Sequence, residues 1–164
     1  EAAMFAATVL EQRGYPPLLL GFESIDLLDH VIFVYRTRTG WGSIARSRDP
    51  GLHGRKPLFA TPRALALSYA EGYVDHSGRV KGYAVIDLRV LDPYDWRLSD
   101  GNLWKVERLL VDWPHRPIRS SNRLFRERHR RYREFVRKNG YKPWKYFKGR
   151  DRWTPLPPEF RARG

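Results

Sequence analysis

The sequence predicts an α+β domain followed by a basic helical extension, and three observations carry that expectation. Short β-branched and aromatic runs, bounded by Gly, Pro and Asp, alternate with segments of helical period through the first 115 residues. The chain has 164 residues and no cysteine, so its core must form without disulfides or thiolate metal sites. Charge is segregated: residues 1–115 carry 14 basic and 14 acidic side chains, whereas residues 116–164 carry 17 basic and 4 acidic, which places the whole net charge of +13 in the last third. The chain thus divides into a neutral body over 1–115 and a basic appendage over 116–164, and only the appendage would respond strongly to a polyanion.

The elements can be justified in order. Residues 1–13 read as a helix burying Phe5, Val9 and Leu10, with Ala2, Ala3, Ala6 and Ala7 allowing close approach of other backbone. Gly14 and Pro16-Pro17 end it. The apolar run 18–22 is a strand, residues 23–29 a polar connection, and Val31-Ile32-Phe33-Val34-Tyr35 a second strand, headed by His30. Thr37-Arg38-Thr39-Gly40 turns into a returning strand over 41–45, and residues 52–57 read as a loop. Thr61 caps a helix that has Pro62 in its first turn and places Leu65, Ser68 and Tyr69 on one side. A strand is expected over 82–89. A further helix, capped by Ser99 or Asp100, would bury Leu103, Val106, Leu109 and Leu110 and end at Trp113-Pro114.

In the last third, Ser120 or Ser121 caps a helix over 122–138 that stops at Gly140. Phe125, Tyr132, Phe135 and Val136 form its apolar side, and Arg123, Arg126, Arg130, Arg133 and Arg137 lie on or near the other. Aromatic and basic residues then interleave in Tyr141-Lys142-Pro143-Trp144-Lys145-Tyr146-Phe147, and a Pro-rich tail beyond about Gly149 is expected to be poorly ordered unless it packs on the body.

Residues 1–49 resemble the active-site segment of transglutaminase-like, papain-related thiol hydrolases and acyl transferases. In that superfamily a cysteine begins a helix, an acidic residue stands two positions on, and the Ala/Leu/Phe-rich helix ends in Gly-aliphatic-Pro. A strand comes next, then a His leading the next strand, then an Asp or Asn. Here the run from Glu1 to Leu10 matches the helix, Gly14-Tyr15-Pro16-Pro17 its end, Leu18-Leu19-Leu20 the strand, and His30 the catalytic histidine. The resemblance implies a transglutaminase-like or papain-like fold with the N-terminal helix on a small antiparallel sheet. It implies a nucleophilic cysteine two positions before Glu1, so that the chain reads as a fragment cut inside its own motif and inactive as it stands. His30 would be the base and Asp49 its orienting partner. The family's usual Asp position holds Ala45, so Ser43 and Ser47 stay open as alternatives, and Asp49-Pro50-Gly51 also reads as a plain turn. Such a site activates a thiol because a helix N-terminus and a neighbouring imidazolium both favour the thiolate. The substrate would be a protein or peptide amide, with no cofactor, in a bacterial-style domain.

Phosphate-cradling, zincin, α/β-hydrolase and EF-hand motifs are all missing from the sequence, and its five histidines lack ligand spacing with one another. No apolar run reaches the length of a membrane span, and with zero cysteines a cytoplasmic location is expected. The competing functional class is a non-catalytic binding module. In it, Arg123, Arg126, Arg130, Arg133, Arg137, Lys142 and Lys145 would neutralise the phosphates of a nucleic acid or the charges of another polyanion, with Trp144 among the aromatics available to stack on bases.

Overall fold

The computed structural model describes residues 2–25, 29–47, 49–70, 72–75, 79–119 and 121–147. Six strands form one antiparallel sheet: β1 (Leu18–Ser24), β2 (Val31–Thr37), β3 (Gly40–Ile44), β4 (Arg55–Phe59), β5 (Val80–Asp87) and β6 (Arg116–Pro117), in the spatial order β4-β3-β2-β1-β5-β6. The architecture is α+β. β1 and β2 sit centrally, and the apolar runs that predicted them are buried on both faces, as an interior position requires.

Because side chains alternate across a strand, the sheet has two distinct cores. Leu20, Phe22, Ile32, Val34 and Tyr83 meet Leu65, Ala66 and Tyr69 of α2 (Pro62–Ser68 and its C-cap), together with Tyr73 and Ile118. On the opposite face Leu19, Phe33 and Tyr35 meet α1 (Ala2–Glu11) and Val106 of α3 (Trp104–Asp112), along with Leu88 and Trp96.

α1 corrects the sequence reading. Its buried face is Ala3, Ala6, Ala7 and Leu10, while Phe5 is 73% exposed and Val9 41% exposed. The small-residue face lies against the sheet, whose Phe33 and Tyr35 already supply the bulk that a larger helix residue would bring. Three further differences are local. β4 falls where a loop was expected, pairing Arg55 with Ser43 and Phe59 with Trp41. α3 begins after Leu103, which holds the N-cap position without a side-chain hydrogen bond, so neither Ser99 nor Asp100 caps it, and of its four stripe residues only Val106 is fully buried. Thr61 caps α2 as expected, its Oγ1 accepting from Ala64 N–H at 3.0 Å.

The last third joins the body directly. β6 extends the sheet from β5, Ile118 enters the α2-side core, and α4 (Asn122–Asn139) packs near the 3-10 turn Gly72–Asp75. Ser121 caps α4, accepting from Leu124 N–H at 3.4 Å, and Gly140, at φ +72°, turns the chain out of it. The short helix α5 (Pro143–Tyr146) then doubles back on α4: Tyr146 and Phe147 pack on Tyr132, with ring centroids 4.9 and 6.2 Å away. Ser120, the alternative cap, and the tail beyond Gly149 lie outside the described residues.

Candidate functional site

A polar network fills the rim of the α2-side core, and its centre is Arg55. Only 3% of this side chain is exposed. Its guanidinium donates to the carbonyl oxygens of His53, Gly51 and Ser68 and to Ser68 Oγ, and it lies 4.1 Å from the Tyr69 ring centroid. Ser43 Oγ accepts from Arg55 backbone N–H at 2.9 Å and shares a 2.7 Å hydrogen bond with the Tyr69 hydroxyl. Burial pushes the Tyr69 phenol up to about 12, against the opposing pull of the Arg55 charge and the Ser43 hydrogen bond, so the group is neutral at physiological pH.

The same network receives the candidate catalytic residues. His30 lies across from Phe22 on β1, and its ring stacks there with planes 10° apart. Its Nε2 is 3.0 Å from the carbonyl oxygen of Leu52. Phe22 belongs to the α2-side core, so the imidazole sits on the opposite face of the sheet from α1. His30 and the first turn of α1 nevertheless border one cleft of about 760 Å³, with Arg46, Trp104 and Glu107 on its other walls. Asp49 is buried and accepts from the Tyr141 hydroxyl at 2.8 Å. It precedes the 3-10 turn Pro50–Leu52, and its own N–H donates to Ser47 Oγ at 3.2 Å. The described contacts thus tie His30 to the Leu52 carbonyl, Ser43 to Tyr69, Asp49 to Tyr141 and Ser47 to the turn.

These contacts make the loop of residues 49–53 the joint between the sheet and the C-terminal helices. Arg55 and His30 hold its carbonyls from the sheet side. From the other side, Tyr141 bonds Asp49 and the Phe147 ring lies against Gly51. A Cβ at Gly51 would fall 2.8 Å from Gly72 Cα and 2.9 Å from Phe147, so only glycine permits this approach. The position of α4 is therefore set by packed contacts with the sheet domain.

On α4 the five arginines named from the sequence form a single row. Their spacings of three, four, three and four residues confine Arg123, Arg126, Arg130, Arg133 and Arg137 to an arc of about 80° and spread them over about 21 Å of helix axis. All five are exposed. Arg130 donates to Glu134 at 2.6 Å, whereas among the described residues Arg123, Arg126, Arg133 and Arg137 have no carboxylate within ion-pair distance. Glu127 and Glu134, ion-paired with Arg131 and Arg130, flank the row on one side together with the exposed Lys138, and the helix turns its Tyr132 face into the protein. Lys142 and Lys145, which follow α4 in the chain, are exposed.

Sequence reasoning missed Arg55, Tyr69 and Tyr141 as members of one network. Ser43 and Tyr69 are separated by 26 residues, and Asp49 and Tyr141 by 92, so no local pattern signals either pair. Among the described residues, no group of three or more His, Asp or Glu is placed to hold a metal ion, and no helix is long and apolar enough to cross a membrane. No protein-family model matches the chain, and no curated protein matches it significantly.

Proposed function

We propose that this chain is a polyanion-binding module and that the arginine row of α4 is its contact surface. The observation that carries this reading is the row itself: five exposed guanidiniums on one face, four of them without a carboxylate partner among the described residues. Placing like charges three and four positions apart costs a helix about 0.2–0.5 kcal/mol per pair, and the row contains four such neighbouring pairs. A row of anions laid along the helix would relieve it. Guanidinium suits this task, because its fork of donors matches phosphate and sulfate oxygens.

The test is a variant carrying Arg123→Gln, Arg126→Gln, Arg133→Gln and Arg137→Gln, titrated with heparin at low salt. The expected loss of affinity is on the order of 100-fold, with an unchanged circular dichroism spectrum. Retention of wild-type affinity by the folded variant would overturn the reading.

A second reading, thiol-dependent amide hydrolysis or acyl transfer, is favoured by one observation: the first turn of α1 and His30 border the same cleft. It requires a cysteine supplied by residues before Glu1, since the chain has none. The opposed placement of α1 and the His30 ring, and the engagement of Asp49 by Tyr141, weigh against it. An extended chain that turns over amide substrates, and stops doing so with His30→Ala, would support this reading; absence of turnover, or turnover that survives the substitution, would remove it.

A further inference from the structure

We infer that the polyanion is B-form duplex DNA and that α4 enters its major groove; this deepens, and rests on, the polyanion reading of α4. The order of charges around the helix carries the inference. At about 100° per residue, the outer edge of the arginine row is Arg133 and Arg126, followed across the face by Arg137, Arg130 and Arg123. Glu134 and Glu127 come next, and Lys138 and Arg131 close the arc. Neighbours in this order stand about 20° apart, so the arc spans about 160°, and its midpoint lies opposite the buried Tyr132.

The face that α4 turns away from the protein therefore has three bands. One flank carries the exposed cations Arg126 and Arg133, and the other carries the exposed cations Lys138 and Arg131. The middle band mixes signs, with arginines beside the half-buried Glu127 and Glu134. Arg131 is paired with Glu127 and Arg130 with Glu134. Exposed pairs of this kind hold their partners weakly, so a phosphate or a base edge can replace either carboxylate.

A DNA major groove complements this face band by band. Its two phosphate rows stand about 12 Å apart, and the two flanks of α4 are separated by nearly the whole helix diameter, about 10–12 Å with side chains. Each flank thus meets one row. The groove floor presents acceptors on guanine, which suit Arg123 and Arg130, and amino donors on cytosine and adenine, which suit Glu127 and Glu134. Heparin or an anionic membrane has only anions to set against the middle band and would meet those carboxylates. A single strand has one phosphate row and leaves one flank without a partner. An RNA duplex closes its major groove to side chains, and the duplex is therefore DNA.

The experiment titrates the wild-type chain and three double variants with a labelled mixed-sequence DNA duplex, the RNA duplex of the same sequence, an oligothymidylate and heparin. Circular dichroism checks that each variant is folded. The wild type should bind the DNA duplex at least about 10-fold more tightly than the RNA duplex or the oligothymidylate. Arg126→Gln with Arg133→Gln, and Arg131→Gln with Lys138→Gln, should each weaken binding to duplex DNA by about 10-fold. Glu127→Gln with Glu134→Gln should strengthen heparin binding and leave duplex DNA bound no more tightly. Equal or tighter binding of the RNA duplex or the oligothymidylate would overturn the duplex inference while the polyanion reading stands. So would wild-type DNA affinity in either folded flank variant, or a gain on DNA equal to that on heparin when the glutamates are replaced. Failure of the wild type to bind heparin at low salt would instead overturn the polyanion reading, and the inference with it.

Discussion

Arg55 and the arginines of α4 are the same residue in opposite circumstances. Arg55 is buried and spends its donors on three carbonyls and a serine hydroxyl, which fixes the loop of residues 49–53. Arg123, Arg126, Arg133 and Arg137 are exposed, and they are aligned where neighbours of like charge repel. The difference shows that basic composition alone does not identify a binding surface. Of two kinds of arginine in one chain, one is consumed by the fold and the other is left available to a ligand.

Substituting at the buried end should give the largest effect. Arg55→Met leaves several buried carbonyls without their charged donor, and urea unfolding should report a loss of about 3–5 kcal/mol. A loss below about 1 kcal/mol would show that the loop is held by something else and would dissolve the contrast.

Tyr69→Phe probes the same network more gently. At neutral pH it should cost about 1 kcal/mol through the lost hydrogen bond to Ser43. Its signature lies at alkaline pH. The folded-state phenol is held at about 12 against an ordinary value of 10.0, so the folded chain keeps this proton longer than the unfolded one. That contribution to stability is complete below pH 10 and is lost as pH rises towards 12. Unfolding free energies of Tyr69→Phe should therefore fall less steeply than wild type across this window, and parallel curves would contradict the burial of the phenol. Thr61→Ala, which removes the cap of α2, should cost about 1 kcal/mol in thermal unfolding. At the exposed end of the comparison, the four-glutamine variant of α4 should change stability by no more than about 0.5 kcal/mol per site; a greater loss would mean that the row belongs to the fold.

Much of the fold was legible because its signals are local. Thr61-Pro62 announced the start of α2, Gly140 the end of α4, and the apolar runs over 18–22 and 31–35 the central strands. β4 was not legible, since Arg55-Lys56-Pro57 carries loop composition and pairs only because β3 lies beside it. Nor was the face of α1. A pattern of apolar residues says that a helix has a buried side, but which side depends on the shape it meets, and here a bulky sheet selected the alanines over Phe5 and Val9. The arginine row was present in the sequence as a spacing. What the sequence withheld was that Tyr146 and Phe147 are spent on Tyr132 while Trp144 stays exposed, because that distinction is made by tertiary contact.

The salt dependence of binding tests the central claim most directly. The account predicts that log K for an oligonucleotide probe falls linearly against log salt, and that the four-glutamine variant lowers the magnitude of the slope by about 2.8, about 0.7 for each lost arginine contact. A slope that the four substitutions leave unchanged would place the contact surface elsewhere on the molecule.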